Sequence, residues 1–172
     1  MIEFAKPEEH EEIDQLILDA YTHDYGPSDR GDSMRFARVR AEQFDVWVAR
    51  NQEGLILGSI TTRRKDGRPL HEDTADGELD LRLLAVSPRA RRQGIGAKIM
   101  REVAAHAQRE GFDTVVLKTA PHMTGAHVLY ESLGYDRAQE RDGLWISGKR
   151  VLDLYSYVLP LGAVHTLHAQ AS

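Results

Sequence analysis

The stretch that decides the fold of this chain runs from Glu78 to Met100 and reads ELDLRLLAVSPRARRQGIGAKIM. Its leucines alternate with charged residues at the start, which is the period of a half-buried strand, and the alternation slips by one residue at Leu83 and Leu84. A β-bulge, or burial on both faces, explains such a slip. Beyond Gly96 the apolar residues return at helical spacing. The stretch therefore predicts a strand, a basic loop, a glycine turn and a helix that begins near Gly94.

The glycine turn has the features of an anion-binding site. Glycines let the backbone approach a ligand closely, and the first turn of a helix offers N–H groups without partners at the positive end of the helix dipole. Arg89, Arg91, Arg92 and Lys98 surround this turn with positive charge. A ligand with several phosphates is therefore the expected occupant. A solvated basic loop without a ligand is the alternative, because short glycine patterns also occur by chance.

The same residues resemble the acyl-CoA-binding motif of the GCN5-related N-acetyltransferases, the GNAT family. The run from Leu84 to Pro88, followed by Arg91-Arg92-Gln93-Gly94-Ile95-Gly96, is similar to the family pattern Arg/Gln-x-x-Gly-x-Gly/Ala after a strand. Residues Leu129 to Tyr135 resemble a second family motif, Leu-Tyr-Glu-x-x-Gly-Phe/Tyr, and the resemblance extends from about Ile2 to Leu159. One departure is Met123, which stands where the family often has an asparagine that contacts the cofactor.

The resemblance implies an α/β (α+β) domain with a mixed, mostly antiparallel sheet, flanking helices and a central pair of parallel strands that splay apart. It places this domain at residues 1–160 and leaves residues 161–172 as a C-terminal tail. It also implies acetyl-CoA as the acyl donor, with the pyrophosphate on the glycine turn and the pantetheine arm between the splayed strands. The implied cofactor-binding residues are Leu84, Ala85, Val86, Arg91, Arg92, Gln93, Gly94, Ile95, Gly96 and Ala97.

Acyl transfer to an amine needs an acid, a base and donors for the carbonyl oxygen. Tyr130 is the predicted general acid, because a phenol stays protonated at neutral pH and can donate to the departing sulfur; packing on a helix face is the alternative. A base matters because a lysine-like amine, with a pKa of about 10.4, is protonated at neutral pH. Glu78 and Asp80 are candidate bases acting through water, although alternating acids on a strand are more often solvent-facing. Backbone N–H groups near residues 84–86 are predicted to bind the carbonyl oxygen.

Composition excludes several classes of protein. The 172 residues are 41% hydrophobic without a long uncharged apolar run, which predicts one domain and no membrane span. The net charge of −5 argues against general nucleic-acid binding. The chain has no cysteine, so it has no disulfide, thiolate metal site or cysteine nucleophile. The start of the chain lacks signal-peptide features, so a cytoplasmic location is expected.

The remaining elements are predicted from periodicity and turn residues. The segment from Arg63 to Gly77 is expected to be a long exposed loop, with Arg63, Arg64 and Lys65 as a solvated cluster. His122 and His127 are expected to be surface or capping residues rather than metal ligands. The predicted strands are Val46 to Arg50 and Leu55 to Thr61 as a hairpin, Thr114 to Lys118 parallel to the central strand, and Tyr135 to Arg141 and Val151 to Leu159 as the final pair.

These features together predict direct transfer of an acetyl group from acetyl-CoA to an amine in a ternary complex. The alternatives are a non-catalytic acyl-CoA-binding module and a general phosphate or nucleotide binder. The acceptor is a small-molecule or peptide amine that the sequence does not identify. Asp24, Asp29 and Asp32 favour a cationic acceptor but are also common turn residues. The oligomeric state stays open, with a homodimer as one alternative.

Overall fold

The computed structural model describes residues 1–25 and 33–162. The chain forms two compact units. Unit 1 comprises Met1–Arg68 and Arg82–Met100, and unit 2 comprises Pro69–Leu81 and Arg101–Ser172. The central strand β4 (Glu78–Val86) and the helix α3 (Ile95–Arg109) each contribute residues to both units.

Unit 1 is a sheet with helices. Its strand order is β1-β2-β3-β4, and both β1 with β2 and β2 with β3 pair antiparallel, which confirms the predicted hairpin. Ile13, Leu16 and Ala20 of the first helix form a core cluster with residues of β2 and β3 and with Ala85. The remaining elements of the unit are β1 (Ile2–Phe4), α1 (His10–Tyr25), α2 (Ala37–Arg40), β2 (Phe44–Arg50) and β3 (Ile56–Arg63).

Unit 2 contains the parallel pair that the sequence predicts. Glu78 to Leu81 of β4 pair in parallel with Thr114 to Leu117 of β5. Strand β5 pairs antiparallel with β9, which also pairs antiparallel with β6, so the order within the unit is β4-β5-β9-β6. Strands β7 and β8 form a separate antiparallel ribbon. The elements are β5 (Thr114–Thr119), α4 (Thr124–Ser132), β6 (Asp136–Arg137), β7 (Leu144–Ile146), β8 (Lys149–Leu152) and β9 (Tyr155–Pro160).

The central stretch folds as its pattern predicts. After the parallel register ends at Leu81, Leu83 has a φ of 59°, which is the local irregularity that the slipped alternation indicates. The helix begins at Ile95, next to the predicted position. The prediction of two final strands is wrong in part: β6 and β9 overlap the predicted ranges and pair antiparallel, but two further strands lie between them. Four short strands lie there, because Ser147 and Gly148, with φ of 52° and 76°, form a tight turn that folds the intervening residues into the β7–β8 hairpin.

The prediction of a long exposed loop is also wrong in part. Arg63 ends β3 and is only 6% exposed, and its Nε donates to the carbonyl of Gly67 at 3.2 Å, so it does not belong to a solvated cluster. His71 is 9% exposed, because the backbone around it is held by the buried carboxylate of Asp80. Across residues 1–25 and 33–162, no helix is both long enough and apolar enough to cross a membrane.

Candidate functional site

The glycine turn lies in unit 1, between the end of β4 and the start of α3. The Ser87 N–H donates to the carbonyl of Leu57 at 2.8 Å, and Ala90, 2% exposed, anchors the short 3₁₀ turn that follows. Arg92 and Gly94 have left-handed backbones, with φ of 66° and 73°, and so turn the chain sharply into the helix.

The first turn of α3 presents donors for an anion. The helical hydrogen bonds begin with the Lys98 N–H donating to the carbonyl of Gly94 at 3.0 Å. The N–H groups of Ile95, Gly96 and Ala97 precede that bond and have no acceptor within the helix. They point toward the N-terminal end, where the helix dipole favours negative charge.

The surroundings of the turn fit a pyrophosphate. A Cβ built on Gly94 meets nothing within 4 Å, so the space in front of the turn is open. The side chains of Arg91, Arg92, Gln93 and Lys98 are exposed around it. Arginine suits phosphate because its planar group donates two parallel hydrogen bonds. The cofactor-binding roles of these residues stay predictions.

Gly58 of β3 determines how closely α3 packs on the sheet, and sequence reasoning missed it. A Cβ at Gly58 would lie 2.8 Å from Ile99 Cδ1, 3.1 Å from Ile95 Cγ2 and 3.1 Å from the carbonyl oxygen of Ala85. The absent side chain therefore allows the start of the helix to lie directly against the strands. A glycine inside a strand pattern was the available signal.

The second half of β4 is tied to the first helix. The Tyr21 hydroxyl donates to the carbonyl of Leu84 at 2.9 Å, and Ala85 is 4% exposed. This contact fixes the backbone beyond the irregularity at Leu83. The role of the N–H groups of Leu84, Ala85 and Val86 toward an acyl carbonyl stays a prediction.

Tyr130 belongs to a cluster of buried tyrosines in unit 2. It is 6% exposed, and its ring centroid lies 6.1 Å from that of Tyr135 and 5.9 Å from that of Tyr157. The Tyr157 hydroxyl donates to Glu131 Oε2 at 2.7 Å, and burial together with this bond raises the pKa of Tyr157 to about 12. The Tyr135 hydroxyl is buried without a hydrogen-bond partner among the described residues, and burial raises its pKa. The acid role of Tyr130 stays a prediction.

The two candidate bases on β4 are both engaged by donors. Asp80 is fully buried, and its carboxylate accepts the Leu70 N–H at 3.0 Å, the His71 N–H at 2.8 Å and the Thr74 hydroxyl at 2.8 Å. Burial opposes ionisation of Asp80, but the His71 side chain and these amides hold its pKa below the ordinary value.

Glu78 is held by an arginine. Its two oxygens accept Arg141 Nη1 at 2.7 Å and Nη2 at 2.9 Å, and one also accepts the Ala75 N–H at 2.9 Å. Burial opposes ionisation of Glu78, but the bond from Arg141 holds its pKa below the ordinary value. A carboxylate that already accepts three hydrogen bonds and has a lowered pKa is a poor base. The base roles of Glu78 and Asp80 stay predictions, and this geometry weighs against both.

A small cleft beside Asp80, with both polar and apolar walls, contains a histidine that sequence reasoning did not single out. His71 Nδ1 lies 3.5 Å from Asp80 Oδ2. Lys118 lies in the same cleft, where its Nζ donates to the Arg141 carbonyl at 2.6 Å and to Ser156 Oγ at 2.9 Å, and pairs with Asp73 at 3.1 Å. The polar and aromatic residues that line the cleft are His71, Thr74, Lys118, Arg141, Ser156 and Tyr157.

The other singled-out residues have simpler surroundings. His127 Nε2 lies 2.9 Å from the carbonyl oxygen of Ala120, in the segment that leads into α4. The N-cap of α4 is Met123, without a side-chain hydrogen bond, so His127 does not cap this helix. Within the described ranges, no three or more His, Asp or Glu side chains are grouped to hold a metal. The side chains of Asp24, Asp29 and Asp32, and the tail residues 163–172, lie outside what the structure describes.

The fold and these motifs are those of one family of proteins, and comparison with known families identifies it. The profile of the acetyltransferase (GNAT) family matches residues 10–135. Because this match covers most of the chain, the chain belongs to the GNAT family, and the resemblance of its motifs is confirmed.

Individual relatives are similar over different shares of their length. N-acetyltransferase 8 of Mus musculus is 28% identical over 133 residues, which are 77% of this chain and 52% of the relative. The chain thus spans about half the length of this curated relative.

Solved structures confirm the predicted fold class. A GNAT-family acetyltransferase from Staphylococcus aureus superposes with a TM-score of 0.74 at 21% identity, covering 94% of this chain and 98% of that one. A Salmonella typhimurium protein solved with its cofactor acetyl-CoA superposes with a TM-score of 0.65 at 21% identity, covering 94% and 93% of the two chains. At these identities the likeness concerns the fold.

Proposed function

We propose that this chain is an N-acetyltransferase that moves an acetyl group from acetyl-CoA directly to an amine. The observation that carries the proposal is the open first turn of α3, where a left-handed Gly94 clears the space in front of three helix N–H groups. Membership of the GNAT family and the neighbour solved with acetyl-CoA support acetyl-CoA as the ligand of that turn.

Each part of the chain has a role in this proposal. The N–H groups of residues 95–97 and the side chains of Arg91 and Arg92 bind the pyrophosphate, which holds the donor in place. N–H groups near residues 84–86 bind the acyl oxygen as it gains negative charge. Tyr130 donates a proton to the departing sulfur. We place these functions in a domain of residues 1–160.

The chain has no cysteine, which removes the commonest covalent carrier of an acetyl group and supports direct transfer. The neutral amine attacks the thioester carbon, a nitrogen–carbon bond forms, and the carbon–sulfur bond breaks. A thiol is a much weaker base than an alkyl amine, with a pKa of about 8.5 against about 10.4, so CoA is the group that leaves. Amine deprotonation is then the step that most needs help from the protein.

Two measurements test the proposal. Calorimetry with acetyl-CoA should show binding, and release of free thiol from acetyl-CoA should accelerate with at least one amine from a panel of polyamines, aminoglycosides, amino acids and peptide N-termini. Because the chain has no cysteine, the thiol signal has no background from the protein. A reaction without amine corrects for hydrolysis.

The outcomes separate the alternatives. No binding of acetyl-CoA contradicts the proposal. Binding without amine-dependent thiol release across the whole panel favours the non-catalytic acyl-CoA-binding module.

A further inference from the structure

We propose that His71 is the general base for the acceptor amine and that Asp80 is its positioning residue. This inference rests on the proposed function and deepens it, because it assigns the proton acceptor and the place where the amine is deprotonated. The site is the small cleft of unit 2 beside His71. Its lining residues include the polar and aromatic residues Thr74, Lys118, Arg141 and Tyr157 and the apolar residues Val116, Leu117 and Val158.

The first argument is that the carboxylates on β4 already accept hydrogen bonds from several donors. Asp80 accepts three hydrogen bonds, and Glu78 is held by Arg141 and by the Ala75 N–H. His71 is the group of this cluster with the right chemistry to take up a proton, because an imidazole changes charge near neutral pH.

The second argument is the orientation of the ring. Nδ1 of His71 lies 3.5 Å from Asp80 Oδ2, at the outer limit for a hydrogen bond, and catalytic hydrogen bonds are often long before substrate binds. A proton on Nδ1, facing the carboxylate, leaves Nε2 as the acceptor nitrogen. Asp80 is fully buried and fixed by the backbone on both sides of the ring, through the N–H groups of Leu70 and His71, so the carboxylate and the imidazole keep one relative position.

The third argument is the balance of charge around the ring. The charged groups of the cleft and its wall are Lys118 on β5, Arg141 after β6, Asp73 on the segment that carries His71, and Glu78 and Asp80 on β4. Lys118 is paired with Asp73 at 3.1 Å, and Arg141 is paired with Glu78 at 2.7 Å. Asp80 is thus the carboxylate left to stabilise an imidazolium, as a base needs when it takes a proton.

The step is balanced as follows. Nε2 of His71 accepts the proton that the acceptor ammonium loses, and the neutral nitrogen forms a bond with the acyl carbon. The carbon–sulfur bond breaks, and the CoA sulfur takes up the proton that Tyr130 donates. The nitrogen loses its second proton as the amide forms, and this proton restores the Tyr130 phenol. His71 then releases its own proton to solvent.

The test replaces His71 by asparagine, whose amide can still donate to Asp80 but has no basic nitrogen. With an acceptor from the panel, kcat of His71→Asn should fall by about a hundredfold or more, while the Kd of acetyl-CoA stays within about twofold. The matched control is His106→Asn on α3, whose histidine side chain is 14% exposed beside Glu110 and should leave kcat unchanged. As the pH is lowered, wild-type kcat should fall at the same pH for amines of different basicity. In His71→Asn this fall should be absent.

The role of Asp80 has its own readout. In Asp80→Asn the imidazolium loses its neighbouring negative charge, so the acid-side fall in kcat should move to lower pH. An unmoved profile in this variant makes Asp80 a structural residue and overturns its positioning role.

Other results overturn the assignment of His71. These are wild-type kcat in His71→Asn, retention of the acid-side fall in that variant, or loss of kcat together with loss of acetyl-CoA affinity, which would assign His71 to the fold. If His71→Asn does not fold, His71→Gln is measured in its place.

The pH profile of wild-type kcat is decisive by itself, because an acid-side fall that tracks the basicity of the amine belongs to the substrate and overturns the proposal. Failure of the proposed function is distinct, since the wild-type protein would then release no thiol with any amine.

Discussion

Tyr130 and Tyr135 make a natural comparison of two buried tyrosines. Both rings are nearly inaccessible, at 6% and 4% exposure, and their centroids lie 6.1 Å apart. The Tyr135 hydroxyl has no hydrogen-bond partner in the described part of the structure, and such a group loses its bonds to water without replacement. Removing each hydroxyl in turn therefore tests whether Tyr130 acts as a proton donor or only packs its ring, as Tyr135 does.

The first prediction is that Tyr130→Phe lowers kcat by about a hundredfold or more while the melting temperature hardly changes, because the ring and its packing stay. Tyr135→Phe is the matched control. It removes an unpaired hydroxyl and should keep kcat and leave the free energy of unfolding unchanged or raised by about 1 kcal/mol. Steady-state rates and denaturant unfolding of both variants decide the matter. Equal kcat in Tyr130→Phe and wild type would make Tyr130 a packing residue.

Gly94 provides a second prediction at the residue scale. Gly94→Val puts a branched side chain into the open space in front of the helix N–H groups, so acetyl-CoA binding should weaken by tenfold or more, about 1.4 kcal/mol or above. The φ of 73° also strains any side chain there, which should cost about 1–2 kcal/mol of stability.

Gly54→Val separates these two effects. Gly54 has a φ of 85° with nothing within 4 Å of a Cβ, in the turn between β2 and β3, so it suffers the same strain away from the glycine turn of α3. Calorimetry should show normal acetyl-CoA affinity in Gly54→Val. The phosphate assignment is contradicted if Gly94→Val binds as tightly as Gly54→Val.

At the scale of the elements, the position of α3 depends on a strand residue without a side chain. A Cβ added at Gly58 would lie 2.8 Å from Ile99 Cδ1. Ile99 is fully buried, so its side chain has little room to move. The start of the helix and the sheet would have to separate to admit even a methyl group. The binding turn and the core packing are coupled in this way.

The third prediction is that Gly58→Ala costs about 1–3 kcal/mol of the free energy of unfolding, through overpacking, and weakens acetyl-CoA binding because the first turn of α3 shifts. The control is Gly125→Ala on α4, where a Cβ meets nothing within 4 Å and alanine should stabilise the helix by about 0.5–1 kcal/mol. Urea unfolding and calorimetry measure both effects. A Gly58→Ala protein with wild-type stability and affinity would show that the helix does not need the close approach.

Local patterns in the sequence were sufficient for the elements that form from neighbouring residues. The alternation and slip in β4, the glycine turn and the start of α3 all arise within Glu78 to Met100, and the antiparallel β2–β3 hairpin follows from one short turn. The parallel pairing of β4 with β5 follows from the helix that connects them. These predictions needed no knowledge of distant contacts.

The parts that were missed depend on contacts far apart in the chain. Asp80 was expected to face solvent, but the backbone at Leu70 and His71 folds over it. Arg141 reaches Glu78 across 63 residues, and neither residue alone indicates this pair. The β7–β8 hairpin turns at Ser147-Gly148, a dipeptide that is not among the strongest hairpin signals. The cleft around His71 could not be predicted because each of its walls comes from a different element.

At the scale of the whole molecule, the contribution of the charged network to stability should depend on pH. The Glu78–Arg141 pair is partly buried, with side chains 14% and 24% exposed. Burial is the largest single effect on the pKa of Glu78 and raises it, but the hydrogen bonds from Arg141 and the Ala75 N–H, together with the charge of Arg141, lower the pKa overall in the folded protein. A carboxyl group with a lowered folded pKa contributes stability above its unfolded pKa of about 4.3 and loses it as the pH falls through the folded pKa.

The fourth prediction is that Glu78→Gln lowers the free energy of unfolding by about 2 kcal/mol at neutral pH, because charge-assisted bonds to Arg141 are lost. The difference from wild type should shrink as the pH falls below about 4. Urea titrations at several pH values measure it, with Glu53→Gln in an exposed turn as the control. A difference that is the same at every pH would mean that packing, rather than the charge of Glu78, is responsible.

The contact of Glu72 with the β7–β8 turn makes two backbone amides into reporters of local opening. The Glu72 carboxylate accepts the Ser147 and Gly148 N–H groups, both at 2.8 Å, although all three residues are exposed to solvent. Amides in an exposed hairpin turn normally exchange rapidly with water, whereas hydrogen-bonded amides exchange only when the contact opens. We expect these two amides to exchange deuterium slowly in the wild-type protein and rapidly in Glu72→Ala, while the Gly143 N–H, bonded to the Leu154 carbonyl at 2.8 Å, keeps its rate. The exchange rates of these two amides would then report how often the contact between the β7–β8 turn and Glu72, the residue next to His71, opens.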